Sequence, residues 1–422
     1  MKRALAIVLA FLARKIISKY KPKIIGVTGS FGKSSAKEAI FHVLVGTGKK
    51  VRRNRGNFNN ELGFPLAVIG DFSHLGGALF YLGAVIKGFR VWLFKAQYPQ
   101  ILILEYGADK PGDIKYLVGI ARPDVAVVTG ISDVPVHVEF YPSPEAVAEE
   151  KSALVRSLAE DGTAILNADD ALVSKMAEKT PAGTLFYGFS PEADFRVSQF
   201  SNRSSDGAPL GIAFKLETVG KSVPVVIDGV LGKGTAYAAA AAAACGSIFG
   251  VPLVKSAGEI SSLETLPGRA KVIEGSDKIW IIDDTYNSSP AALREALLAL
   301  KSIPAKRKVA VLGGMMELGE HSERAHKELG EKASEAADVV IGIGEKGRKL
   351  ISAAAAEGKK TAWFENSAEA AEGIKKMARE GDLILVKGSQ SVRTERVVKA
   401  LMKRPEKAEE LLVRQYGSWL KK

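Results

Sequence analysis

Residues 23–44 read "KIIGVTGSFGKSSAKEAIFHVL", and their pattern predicts three elements in succession. "KIIGVT" is a short apolar run bounded by glycine, the pattern of a buried strand, and "KSSAKEAIFHVL" brings its apolar residues back at helical spacing. "GSFG" punctuates the two. A strand that turns through glycines into a helix is the framework of a phosphate cradle, because the first N–H groups of a helix are unpaired and face outward towards an anion. The standard spacing G-x-x-x-x-G-K-[ST] fails here by one residue, since the position five before Gly32 is Val27 and the nearer glycine is Gly29. The physical parts remain. The backbone of Thr28, Gly29, Ser30, Phe31 and Gly32 can wrap a phosphate, Lys33 brings a point charge to the β/γ oxygens, and Ser34, followed by Ser35, offers a hydroxyl to Mg²⁺. The plain alternative is a strand-to-helix turn with a surface lysine.

The rest of the chain extends this α/β pattern. "ILILEYG" (101–107), "DVAVVTG" (124–130) and "GTAILNADD" (162–170) are apolar runs ending in turn residues, predicted to be buried parallel strands with helices on both faces. Ligand chemistry in such sheets gathers at the strands' C-terminal ends, which singles out Glu105, Thr129 and Asn167. "FRVSQF" and "IAFKLETV" alternate, and predict an antiparallel patch beside the main sheet; the alanines of residues 235–250 predict a tightly packed helix. Past Pro267 and Gly268 a second α/β run begins, with strands "IWIIDD", "KVAVLGG", "DVVIGIG" and "DLILVKG". The predicted architecture is a P-loop-type, mostly parallel central sheet domain over 23–266 and a Rossmann-like α/β domain over 267–422, preceded by an apolar helix over 1–22.

A chain of 422 residues, 46% hydrophobic and 25% charged, is long enough for such domains, each with its own core. The single cysteine, Cys245, excludes an internal disulfide framework and a multi-cysteine metal site, and fits a reducing cytoplasm. The net charge of +12 is spread along the chain, with no basic block interleaved by aromatics, so nucleic acid is set aside in favour of nucleotides, phosphorylated substrates or an anionic membrane surface. At the N-terminus a basic start precedes ten apolar residues, 4–13, but Arg14 and Lys15 interrupt the run and no small-residue cleavage site follows. It is too short to span a bilayer, which takes about 20 residues. It reads as a helix packed on the domain or lying at the inner membrane face with its cations towards headgroups. Residues 76–94 carry Lys87 and Arg90 within a second apolar stretch and read as a core or interfacial helix.

"GVTGSFGKSS" resembles the ATP loop of the Mur ligase family, whose pattern is Gly-x-Thr-Gly-Thr-x-Gly-Lys-[Ser/Thr]. The resemblance runs from about residue 23 to 400, through "GNFNNELGFPL" (56–66), "DDTYNSSP" (283–290), "VLGGMMELGEHSERAH" (311–326) and "VKGSQSVRTERVV" (386–398). These are most like the branch that adds D-alanyl-D-alanine to a UDP-muramoyl tripeptide. The resemblance implies a cytoplasmic, monomeric, ATP- and Mg²⁺-dependent amide ligase of peptidoglycan precursor synthesis, with one or two ions, acting through an acyl phosphate on small-molecule substrates. It implies that Glu105 and His137 are metal ligands, that Lys151 is carbamylated to become a third, and that Arg269 reaches the γ-phosphate. It places Asp284, Tyr286 and Asn287 at ribose and adenine, and Lys387 and Ser389 at the incoming amino substrate. From the residues alone Glu105 is a strand-end carboxylate, His137 a lone histidine, Lys151 a solvated helix lysine, and "NSSP" a good helix start.

The departures concern the substrate. The loop begins so near the N-terminus that the branch's UDP-sugar-binding domain, roughly a hundred residues, the size of a small domain, is expected to be missing. The family's His-Asn pair aligns with Lys233 and Gly234, Gly314 stands where an aspartate is usual, and residues 76–94 look inserted. Two alternatives stay open beside the favoured activity: a Mur-like ligase for another or a lipid-linked carboxylate, and a nucleotide-binding subunit that needs a partner.

Overall fold

The computed structural model describes residues 2–56, 58–134 and 140–421. Nine strands form the first sheet: β1 (Lys23–Thr28), β2 (Val51–Arg53), β3 (Ile101–Glu105), β4 (Val125–Val128), β5 (Thr163–Asn167), β6 (Gly183–Gly188), β7 (Phe195–Ser205), β8 (Ala208–Thr218) and β9 (Lys221–Asp228), in the order β2-β3-β1-β4-β5-β6-β7-β8-β9. Pairing is parallel from β2 through to β7 and antiparallel for β7–β8 and β8–β9. The strand that opens the phosphate loop is therefore central, flanked by the strands that end in Glu105 and Val128. Its side chains alternate between two cores. Ile25 and Val27 join Ile101 and Ile103 on one face, whereas Ile24 joins Leu102 and Leu104 on the other, as expected of strands buried on both sides.

Helix α1 (Lys2–Tyr20), α2 (Lys33–Val45), α3 (Gly63–Ile69) and α4 (Ala78–Leu93) follow in chain order among these strands. On one face α2 packs against the alanine-rich helix Lys233–Ile248, where Ala238 to Ala244 are all buried. Methyl-sized side chains let the two helices approach closely while α2 keeps its aim at the end of β1. The opposite face carries α1, α3 and the helix Pro144–Arg156. That last helix starts at Ser143, whose hydroxyl accepts the Ala146 N–H, with proline at its first turn.

Six strands form the second sheet: β10 (Lys271–Glu274), β11 (Trp280–Asp284), β12 (Arg307–Gly313), β13 (Val339–Ile343), β14 (Lys360–Phe364) and β15 (Asp382–Lys387), in the order β10-β11-β15-β12-β13-β14, parallel except for β10. The ends of β11 and β15 lie side by side, with Asp284 opposite Lys387.

Two sequence expectations change. The alternating strands do not stand beside the main sheet but continue it, because β6 pairs with β7 at Tyr187–Phe195 and Gly188–Arg196. α1 runs from Lys2 to Tyr20, with Leu9, Leu12, Ala13 and Ile16 buried and Ile7 and Phe11 exposed. α4 is a surface helix rather than a core one, with only Ala84 and Gly88 buried. Among the described residues no helix is long and apolar enough to cross a membrane.

Candidate active site

The phosphate loop is held open by its own backbone. Gly32, at φ 78°, is the N-cap of α2, and Gly29 has φ 145°, conformations that side-chain-bearing residues rarely adopt. A Cβ on Gly29 would stand 2.0 Å from Thr129 Oγ1, so the loop is pressed against the residue that follows β4. The Ser30 N–H donates to Gly130 O at 2.7 Å, and Thr28 Oγ1 donates to Tyr106 O at 2.8 Å. Thr28 is wholly buried and supports the loop from behind. Lys33 Nζ folds over the loop and donates to Gly29 O at 2.7 Å. Burial lowers its proton affinity, Glu105 opposes that, and the Arg269 guanidinium adds to it.

Glu105 ends β3, opposite Val27 in the register of β1, and is 1% exposed. Its Oε1 lies 3.1 Å from Lys37 Nζ and accepts no hydrogen bond among the described residues. Lys37, itself buried, donates to Asn54 O at 2.6 Å and lies 3.4 Å from Glu38 Oε1; Glu38 in turn meets Arg53 Nε at 2.5 Å. A buried carboxylate oxygen with spare acceptor capacity beside a phosphate loop suits a hard, oxygen-seeking cation.

From the second sheet, Asp284 Oδ2 accepts from Lys387 Nζ at 2.6 Å, and Lys387 also donates to Asn287 O at 2.9 Å. The Arg269 guanidinium lies 4.0 Å from the Tyr286 ring centroid, a cation–π stack. Behind them Asp283 is fully buried and pushed up to about 6, chiefly by burial, although it accepts from Thr285 and from the Gly268 N–H. Ser389 Oγ accepts from the Met316 N–H at 3.1 Å.

One cavity of about 500 Å³ brings most of these together. Its wall takes Ser30, Phe31, Gly32, Lys33, Ser34 and Glu105 from the first sheet, and Arg269, Asp284, Tyr286, Asn287, Lys387 and Ser389 from the second. Thr28, Gly29 and Ser35 frame the loop outside that wall. His137 lies outside the described residues. Lys151, on the helix Pro144–Arg156, is not a solvated lysine: it is 5% exposed and is pushed down to about 7 by burial and then by the neighbouring charge of Lys33. Lys233 starts the alanine-rich helix and covers the Phe189 ring at 5.0 Å, away from the cavity wall. At Gly314 a Cβ would come 2.4 Å from the Cβ of Lys346, so an aspartate there would need the neighbouring helix to shift.

Lys37, Asn59 and Trp419 also belong to this constellation, the latter two in the cavity wall, and no role was read for them from sequence. Asn59 had a signal, since it lies within "GNFNNELGFPL". Lys37 looked like any helix lysine, and Trp419 follows the final motif by some twenty residues of unpatterned chain.

The chain matches the model of the Mur ligase middle domain over residues 89–246 and that of the Mur ligase glutamate ligase domain over residues 268–390. It is 30% identical over 398 residues to the UDP-N-acetylmuramoyl-tripeptide--D-alanyl-D-alanine ligase of Bacillus subtilis (strain 168), covering 93% of this chain and 79% of that protein. The enzyme of the same name from Escherichia coli (strain K12) is 29% identical over 393 residues, covering 92% and 79%. Among solved structures, the MurF ligase from Thermotoga maritima in complex with ADP superposes with a TM-score of 0.77 at 28% identity, over 95% of this chain and 84% of that one. A pseudomurein peptide ligase type C from Methanothermus fervidus shares the fold, with a TM-score of 0.63 at 19% identity, over 90% of this chain and 79% of that one.

Proposed function

The chain belongs to the Mur ligase family, and from that membership we propose that it uses ATP to join D-alanyl-D-alanine to the terminal carboxylate of a muramoyl tripeptide in peptidoglycan precursor synthesis. The observation that carries the reading is the single cavity in which the phosphate loop and Glu105 of one sheet face Arg269, Asp284 and Lys387 of the other. Residues 23–266 serve as the ATP-binding domain and 267–422 as the domain that closes on it, with 1–22 as an N-terminal helix. The enzyme works as a monomer in the cytoplasm.

Each role follows from charge. The triphosphate lies on the N–H groups of the loop and of the first turn of α2, with Lys33 leaving the loop carbonyls for a phosphate oxygen. Asp284, Tyr286 and Asn287 take ribose and adenine. A substrate carboxylate oxygen attacks the γ-phosphorus, the bond to ADP breaks, and an acyl phosphate forms. The amine then attacks the acyl carbon, loses a proton and expels phosphate. Bringing a carboxylate to a triphosphate gathers negative charge, and Lys33 and Arg269 offset it. Lys387 and Ser389 position the amino substrate.

Glu105, Ser34 and a modified Lys151 would hold Mg²⁺, with His137 as a further ligand; the ion supplies positive charge to the phosphate oxygens. Lys151 is buried and feels the charge of Lys33 in the loop, which supports this role. Its lowered proton affinity leaves a neutral amine whose nitrogen can attack CO₂, forming an N–C bond and releasing a proton, so that a buried cation becomes an oxygen donor. The test is phosphate release from ATP by the purified protein. Release that needs both UDP-muramoyl tripeptide and D-Ala-D-Ala supports the reading; release driven only by other carboxylates or amines overturns its substrate assignment, and none with any pair overturns the reading for the isolated chain.

A further inference from the structure

Helices α1 and α4 lie against each other and leave an apolar surface uncovered. On α4 the exposed residues Leu79, Leu82, Ile86, Phe89 and Leu93 recur at intervals of three and four, forming one stripe, while Ala84 and Gly88 face inward. Leu79 is 84% exposed and Leu93 61%. On α1, Ile7 is 59% exposed and Phe11 40%. The two surfaces are continuous, because the ring of Trp92 lies 5.7 Å from that of Phe11 and 6.2 Å from that of Phe89. The pair is fixed at one end, where Lys19 Nζ donates to the carbonyls of Trp92 and Phe94 at 2.7 and 2.6 Å, satisfying the C-terminus of α4. A continuous apolar surface of this kind costs free energy in water and marks a contact site.

The charges around it decide the occupant. Neither helix contains an aspartate or glutamate, and Arg14, Lys15, Lys87 and Arg90 are exposed on them. Lys15 Nζ lies 5.5 Å from the Phe11 ring centroid and 5.9 Å from that of Trp92, so cation and apolar surface meet edge to edge. A second copy docked face to face would set these cations against their own kind. Anionic headgroups over acyl chains complement both parts, with the long basic side chains reaching up to the phosphates. We propose that the joined outer face of α1 and α4 is a docking surface for an anionic lipid bilayer, on which the protein rests without crossing it.

The proposal stands apart from the ligase reading, since vesicle binding reports on this face and turnover on the cavity. The full chain is sedimented with phosphatidylglycerol–phosphatidylcholine vesicles and with phosphatidylcholine vesicles at low and high salt. Binding to the anionic vesicles alone, weakened by salt, is expected. Lys87→Gln and Arg90→Gln should each lower the partition coefficient about fivefold. Leu79→Glu/Ile86→Glu should lower it tenfold or more while thermal unfolding and turnover stay as in the parent, since both side chains are solvent-exposed. No binding, or equal binding to neutral vesicles, overturns the proposal. So does a dimer by analytical ultracentrifugation that the Leu79→Glu/Ile86→Glu change dissolves in a protein that ignores vesicles, because the face would then join two copies.

Discussion

Lysines in and beside the phosphate loop separate binding chemistry from stability. Lys33→Ala removes a half-buried cation whose contacts are loop carbonyls, so turnover should fall by about a hundredfold or more with no loss in urea stability. Glu105 differs, because its removal takes the nearer of two carboxylates from the buried Lys37 cation, leaving Glu38 at 3.4 Å. Glu105→Ala should cost about 3 kcal/mol in urea unfolding as well as turnover, and Glu105→Gln/Lys37→Met should recover the stability but not the activity. Lys151 supplies a pH-dependent signature. An ordinary lysine amine is protonated up to about pH 10.4, but this one gives up its proton near 7. The neutral form that reacts with CO₂ therefore accumulates as pH rises through 7, and a carbamate resonance from ¹³CO₂ should grow across that range. Lys151→Arg should lack both resonance and turnover; an active Lys151→Arg enzyme would sink the carbamate role. Lys33, Ser34 and Glu105 were legible because a motif and a strand end carry their position. Lys37 and the burial of Lys151 were not, since a helix lysine's letters do not say which neighbours cover it.

At the scale of elements, the link that keeps the loop in place is the contact between α2 and the alanine-rich helix. Ala240 is wholly buried at 0% exposure, and a Cβ on Gly246 would come 2.7 Å from Val43 of α2. Ala240→Leu should therefore destabilise the protein by about 1–3 kcal/mol, read as a lower urea midpoint with an unchanged slope. A denaturation curve matching the parent's would show that the two helices are loosely packed. That helix and the long buried strands were legible, since an alanine run and unbroken apolar runs have few other uses. β14 was not: its residues are exposed or half-buried at the sheet edge, and its apolar run is only three residues, Ala362 to Phe364. β7 and β8 were read as strands but beside the main sheet rather than in it, because the two-residue pairing that joins β6 to β7 is set by the turn between them rather than by either strand's pattern.

For the whole molecule, the arrangement of the two sheets matters more than either site half. Contacts between the halves are both apolar and polar: Leu231 and Val134 pack into the core under the second sheet, Val230 pairs with Lys271, Arg294 meets Asp133 at 3.1 Å, and Asn202 Nδ2 donates to Ser302 Oγ at 2.8 Å. The cavity between the halves has its phosphate loop on one side and Arg269 on the other. Arg269 lies just before β10, stacked on Tyr286, so its position relative to Lys33 depends on how the halves meet. A cation delivered by closure adds most to the transition state, in which charge is spread over the transferring phosphoryl group. Arg269→Ala should then lower kcat by about a hundredfold while the Kd for a non-hydrolysable ATP analogue changes by less than about tenfold, since the loop alone makes most of the ground-state phosphate contacts. Arg269→Lys keeps the charge but loses the planar stack on Tyr286, and should recover only part of kcat. If Arg269→Ala weakened nucleotide binding as much as it lowered kcat, the arginine would be a ground-state ligand, and closure would have no part in its action.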